Sequence, residues 1–143
     1  MKNINLFVYG SLREGFFNYD KYLLGKVSKN IDAKLTDMRL YHMPYKGYPA
    51  ITHGEDEVFG EIIVIDEDQY EDTMEAMDEM EGFISENNPE NEYHKVILEV
   101  ENLETNEKEK CFVYFYNKDK DEHFEEGSVY IPHGDWKKYM INK

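Results

Sequence analysis

Short apolar runs separated by polar or glycine-containing breaks dominate the chain, and one segment alone carries a clear helical period. Ile4 to Tyr9 reads as a buried first strand. It gives way to Gly10-Ser11-Leu12-Arg13-Glu14-Gly15, a loop with a glycine at each end. Asn18 has the side chain to cap a short helix through Leu24, with Gly25 as its stop. Ile31 to Met43 is predicted extended, Gly47-Tyr48-Pro49 is a turn signal, and Val58 to Asp66 is a Val/Ile-rich strand in which Gly60 suggests a bulge. Asp68 to Glu81 is predicted helical, ended by Gly82. Asn87 to Asn91 is a loop. Tyr93 to Glu101 alternates, with Val96, Leu98 and Val100 on one face, and Lys110 to Tyr116 is a second β run joined to it by a hairpin over Asn102 to Glu107. The tail from Tyr130 to Tyr139, with Pro132, Gly134 and Trp136, is expected to pack back on the body. Strands outnumber helices in a mixed order. The predicted class is α+β, a small mixed β-barrel or curled sheet with one or two flanking helices.

The length of 143 residues fits one domain spanning 1–143, and 41% hydrophobic with 15% aromatic residues supplies a core without staples. Sixteen Lys+Arg against 31 Asp+Glu leave a net charge of −15. Such a surface repels phosphate backbones and anionic lipid, so neither nucleic acid nor membrane is an expected partner. The acidic stretches Glu55-Asp56-Glu57 and Asp66-Glu67-Asp68 read as solvated edges at turns. No apolar run approaches membrane-spanning or signal-peptide length, and a cytoplasmic location is the expectation.

Several familiar chemistries fail on spacing. Gly10 to Gly15 has phosphate-loop spacing, but Phe16 and Phe17 stand where Lys and Ser/Thr are required. Ser11 lacks the surroundings of a hydrolase nucleophile and reads as a hydroxyl that satisfies its own loop. The five histidines form no zinc-binding pair, and Glu71 and Glu122 occupy the glycine position of the two calcium-loop-like starts. Cys111, the single cysteine, reads as a small core residue.

The helix holds one anomaly. With Tyr70 set at zero and about 100° per residue, Thr73, Met74, Met77 and Met80 form an apolar arc. Glu71, Asp72, Glu75, Asp78 and Glu79 form a solvated face. Glu81 falls near 20°, inside the apolar arc. Either the helix has ended and Glu81 turns to water, or a carboxylate sits in a core-facing position with a raised proton affinity.

Phe7-Val8-Tyr9-Gly10-Ser11-Leu12-Arg13-Glu14-Gly15 resembles the opening signature of the gamma-glutamylcyclotransferase-like family. Four further stretches are similar to the family in the same order: Tyr48-Pro49-Ala50 with Val58-Phe59-Gly60-Glu61; Asp78-Glu79-Met80-Glu81-Gly82, matching D-x-x-E-G; Tyr93-His94-Lys95, matching Y-x-[RK]; and Ile131 to Trp136. The resemblance implies a small barrel with a pocket at one end. It implies that Tyr9, Gly10, Ser11 and Leu12 form the substrate loop, that Glu81 is the catalytic acid/base, and that 5-oxoproline is released from a small γ-glutamyl compound without a cofactor; the spacing of the histidines and acids gives no metal site. The polar stretch from Asn87 to Glu92 is a departure placed where specificity can be set. Tyr9, Tyr48 and Tyr93 are expected to wall the pocket, although a tyrosine in an aromatic core can equally be packing. A binding module that kept the pocket and lost turnover, and an acidic interaction protein with Glu81 in solvent, are the competing readings.

Overall fold

A computed structural model describes residues 4–141. Its strands are β1 (Leu6–Val8), β2 (Val27–Met43), β3 (Tyr48–His53), β4 (Asp56–Ile65), β5 (Tyr93–Asn102), β6 (Lys108–Tyr116) and β7 (Val129–Ile131). Its helices are α1 (Phe17–Tyr22), α2 (Tyr70–Met80), α3 (Phe124–Gly127) and α4 (Trp136–Ile141). The mixed α+β class is as expected; among the described residues there are four helices, of which only α2 exceeds six residues. Helices this short leave no hydrophobic period to read.

Five strands close a barrel in the order β2-β4-β1-β6-β5 and back to β2. All pairs are antiparallel except β1 with β6. Closure rests on two residues of β2, Ala33 and Lys34, opposite Asn102 and Glu101 of β5. β2 is 17 residues long and serves two parts of one sheet. Its first half belongs to the barrel; its second half, from Met38, leaves it to pair with β3 and β7. The change comes at a bulge between Leu35 and Met38, where Asp37 has φ 59°. One extra residue there bends the strand away from β4.

Alternation along the strands sorts the core into two layers. Phe7, Ile31, Ala33, Leu35, Val58, Ile62, Val100, Cys111 and Val113 cluster inside the barrel. Leu6, Val8, Ile63, Tyr114 and Tyr116 cluster with Met74 and Met77 of α2. The α2 stripe therefore packs on the outer face of β1, β4 and β6. Cys111 is fully buried, and burial pushes its thiol up to about 12, as expected of a core residue.

Several boundaries move. β1 is shorter than Ile4 to Tyr9, β2 begins at Val27 instead of Ile31, and α2 is Tyr70–Met80 after a 3₁₀ turn at Glu67–Gln69. Tyr48-Pro49 opens a strand that the sequence reading took for a turn; the turn lies just before it and ends at Gly47, φ 83°. Pro49, the second residue of β3, pairs with His42 on an edge strand, where the missing N–H is tolerated. Gly60 is not a bulge, since Ala33 faces it in regular register. A Cβ there would stand 2.1 Å from the Val8 carbonyl oxygen, so the glycine permits close approach of β1. Asn18 is not a cap. α1 starts after Phe16 with no side-chain cap, ends at Tyr22 before Leu24, and leaves Asn18 free to face the Gly10 loop. Of the acidic edges, Asp56 and Glu57 belong to β4, where Tyr130 and Lys34 bond them. The tail does pack back: β7 adds to β2, and buried Trp136 donates from Nε1 to His42 Nδ1.

Candidate active site

The Gly10 loop leaves β1 at the mouth of the barrel and is fixed from three sides. Gly10 lies so close to β3 that a Cβ would stand 2.5 Å from Pro49 Cγ. The Arg13 N–H donates to Gly10 O at 3.0 Å and closes the turn, while the Tyr19 N–H of α1 donates to Ser11 O at 3.2 Å. Asn18 Nδ2 donates to Ser11 Oγ at 2.8 Å, so the serine hydroxyl is held by α1 and not by its own backbone as the sequence suggested. Arg13 turns inward. Its Nε reaches Glu61 at 3.1 Å and its Nη1 reaches Asp135 at 2.9 Å. Among the described residues, the amides of Ser11 and Leu12 have no acceptor within the protein. Two adjacent free N–H groups in a rigid loop are an anion-binding element.

Glu81 is the C-cap residue of α2, with its N–H still bonded to Met77 O at 2.9 Å and φ −81°. The helix then ends in a six-to-one bond from Phe83 N–H to Asp78 O at 2.9 Å and a five-to-two bond from Gly82 N–H to Glu79 O at 3.2 Å. Gly82 sits between them at φ 71°, the left-handed conformation that this closure requires. The glycine thus keeps Glu81 in helical register, on the same stripe as Met77. Asp78 is corrected from the solvated face. It accepts from Tyr114 OH at 2.6 Å and pairs with Lys95 at 3.2 Å.

One cavity of about 100 Å³ joins these parts. Tyr9, Gly10, Ser11, Leu12, Tyr48, Glu81 and Tyr93, the seven residues singled out in the sequence, all line it. The volume suits a small ligand and exceeds the space for a water or two. Glu81 is partly buried and no hydrogen bond reaches its carboxylate among the described residues. Burial pushes its pKa up to about 8, with the Glu92 charge adding to the shift. The negative end of α2 acts in the same sense. Tyr9 and Tyr93 are both buried packing residues and pocket walls. Their hydroxyls are committed to backbone carbonyls, Tyr9 OH to Tyr114 O at 2.6 Å and Tyr93 OH to Pro49 O at 2.6 Å. Tyr48 OH donates to Glu92 Oε1 at 2.9 Å.

A family model described as gamma-glutamyl cyclotransferase, AIG2-like, matches residues 6–138. The chain belongs to this family. Solved structures share the fold. YkqA of Bacillus subtilis superposes with a TM-score of 0.67 at 25% identity, over 99% of this chain and 42% of that one. The chain therefore spans less than half of that protein. PH0828 of Pyrococcus horikoshii superposes with a TM-score of 0.63 at 20% identity, over 98% and 95% of the two chains. The mouse AIG2-like protein gives 0.60 at 22% identity, over 78% and 76%. No curated protein sequence matches the chain.

The AIG2-like motifs meet in space. Asp78 of D-x-x-E-G pairs with Lys95 of Y-x-[RK], which ties the end of α2 to β5. Arg13 of the opening signature pairs with Glu61 of β4 and Asp135 of the tail. The first four of these motifs each supply one ion-pair partner and at least one residue lining the cavity, and the tail supplies Asp135 alone. Seven further wall residues were not singled out as site residues in the sequence: Phe7, Val8, Asn18, Pro49, Met80, Glu92 and Tyr114. Glu92 lay in the polar stretch already noted, but a carboxylate in an asparagine-rich loop has no periodicity to mark it. Among the described residues, no helix is long and apolar enough to cross a membrane.

Proposed function

We propose that the protein cyclises a γ-glutamyl amide, releasing 5-oxoproline and an amine, with Glu81 as general acid/base. The observation that carries this reading is one small cavity lined both by Glu81, whose carboxylate has no hydrogen-bond partner among the described residues, and by Ser11 and Leu12, whose amides have no acceptor there. The substrate brings its own nucleophile. Its α-amine attacks the γ-carbonyl carbon, a C–N bond forms to close the five-membered ring, and the C–N bond to the leaving amine breaks. An intramolecular attack asks for orientation and not for an enzymic nucleophile.

The proton needs one shuttle. Glu81 in its ionised form takes a proton from the substrate α-ammonium and returns it to the departing nitrogen. Raising the Glu81 pKa to about 8 brings it toward the range of an α-amino group, so the transfer is nearly balanced in both directions. Ser11 and Leu12 line the same cavity, and their unpaired amides suit either the substrate α-carboxylate or the oxyanion formed on attack. Because the ionised form is the base, kcat/KM should rise with pH through a midpoint near 8. The test is a panel of γ-glutamyl amines and amino acids assayed for 5-oxoproline with the wild type and Glu81→Gln. Turnover that disappears in the variant supports the reading. A folded protein that binds these compounds without releasing 5-oxoproline would make it a binding module.

A further inference from the structure

Glu92 is the second carboxylate of the cavity. It stands just before β5, and its N–H donates to Gly82 O at 3.0 Å. Its Cβ lies 2.8 Å from where a Cβ on Gly82 would be, so backbone contacts fix it beside the end of α2 that carries Glu81. Its carboxylate is pinned from outside. Tyr48 OH donates to Oε1 at 2.9 Å and to Oε2 at 3.2 Å, and Lys46 Nζ lies 3.4 Å from Oε2. Lys46 does not line the cavity, whereas Glu92 does.

We propose that Glu92 is a positioning residue for the reaction: held by Tyr48 and Lys46, its fixed negative charge sets the protonation state of Glu81. This rests on Glu81 being the proton shuttle. The other titratable groups around Glu81 come from every neighbouring element. Tyr9 reaches it from the end of β1, Tyr48 from β3, Tyr93 from β5 and Tyr114 from β6, and all four hydroxyls are held protonated by burial. Asp78 on α2 is neutralised by Lys95. Glu92 is thus the charged group beside the shuttle whose effect persists, adding to the raised proton affinity of Glu81 despite its 3.4 Å contact with Lys46. Removing the charge should make Glu81 give up its proton at lower pH. Removing Lys46 leaves Glu92 uncompensated and should have the opposite effect.

Opposite shifts distinguish this role from a structural one. The experiment is the pH profile of kcat/KM for 5-oxoproline release, alongside a ¹³C NMR titration of the Glu81 carboxyl, assigned with Glu81→Gln. Glu92→Gln, which keeps the Tyr48 bond, should lower both midpoints by at least roughly half a pH unit, the scale of one facing charge in a partly dry site. Lys46→Gln should raise both. Unmoved midpoints in the two variants, or a uniform loss of rate at every pH, would overturn the proposal. The NMR titration needs no turnover. If Glu81→Gln retained full activity, the functional reading would fail while the Glu92 claim would still be decided.

Discussion

Two glutamates, Glu61 buried and Glu81 partly buried, are treated in opposite ways. Glu61 of β4 is 5% exposed and surrounded by donors. Arg13 Nε reaches it at 3.1 Å, the Glu14 amide at 3.2 Å and Asn30 Nδ2 at 3.3 Å. Glu81 has no donor among the described residues and faces a second carboxylate. A buried charge that is paired and hydrogen-bonded fixes geometry; one left unpaired stores proton affinity. The two are linked, because Glu61 holds the Arg13 that shapes the loop opposite Glu81. The stable carboxylate builds the wall against which the labile one works.

The largest expected effect comes from breaking the first glutamate. Glu61→Ala removes one of the two ion partners of buried Arg13, leaving Asp135, and strips the acceptor from the Glu14 amide and Asn30 Nδ2. Breaking a buried pair on one side should cost about 3–5 kcal/mol in urea unfolding. Activity should fall with it, since the loop loses its anchor.

Breaking the second should do the reverse. Glu81→Gln should reduce 5-oxoproline release at least about 10²-fold, the lower size of a general acid–base contribution, with the fold retained. Circular dichroism and the unfolding midpoint check the fold. The same variant sharpens the contrast through pH. The folded protein binds a proton at Glu81 up to about 8, whereas the ordinary value is 4.5. Between these values the native state holds more protons than the unfolded one, so this group's contribution to stability declines as pH rises. The slope is at most about 1.4 kcal/mol per pH unit, ending above the folded value. Glu81→Gln should lack that decline, so its unfolding free energy should gain on the wild type from pH 5 to 8.

The smallest effect concerns the loop hydroxyl. Asn18→Ala removes the 2.8 Å bond to Ser11 Oγ and should cost about 1 kcal/mol, with KM rising more than kcat falls. An unchanged KM would show that Ser11 needs no support from α1.

These two glutamates also show what a sequence reveals. Glu81 was legible because α2 is long enough to have a period, and an acid among Met74, Met77 and Met80 breaks it. Gly82 was legible as a helix stop for the same reason. Glu61 was visible only as part of a resemblance; its partners lie 48 and 31 residues away, and alternation along β4 does not announce them. Barrel closure was equally hidden, because it depends on Ala33 and Lys34 meeting the far end of β5. The strand beginning at Tyr48 was read as a turn because Gly47 and Pro49 outweighed a short run whose burial comes from tertiary contacts. Asn18 was read as a cap because local chemistry allowed it, yet the loop it binds competes successfully for the same side chain.

The account stands or falls on which atom attacks the γ-carbonyl. The most direct measurement compares a γ-glutamyl amide bearing a free α-amine with its Nα-acetylated form, identifying the products by mass. The free compound should yield 5-oxoproline and the amine, and the acetylated one should yield nothing. Release of N-acetylglutamate, or of glutamate from the free amide, would identify water as the nucleophile and contradict cyclisation by the substrate's own amine.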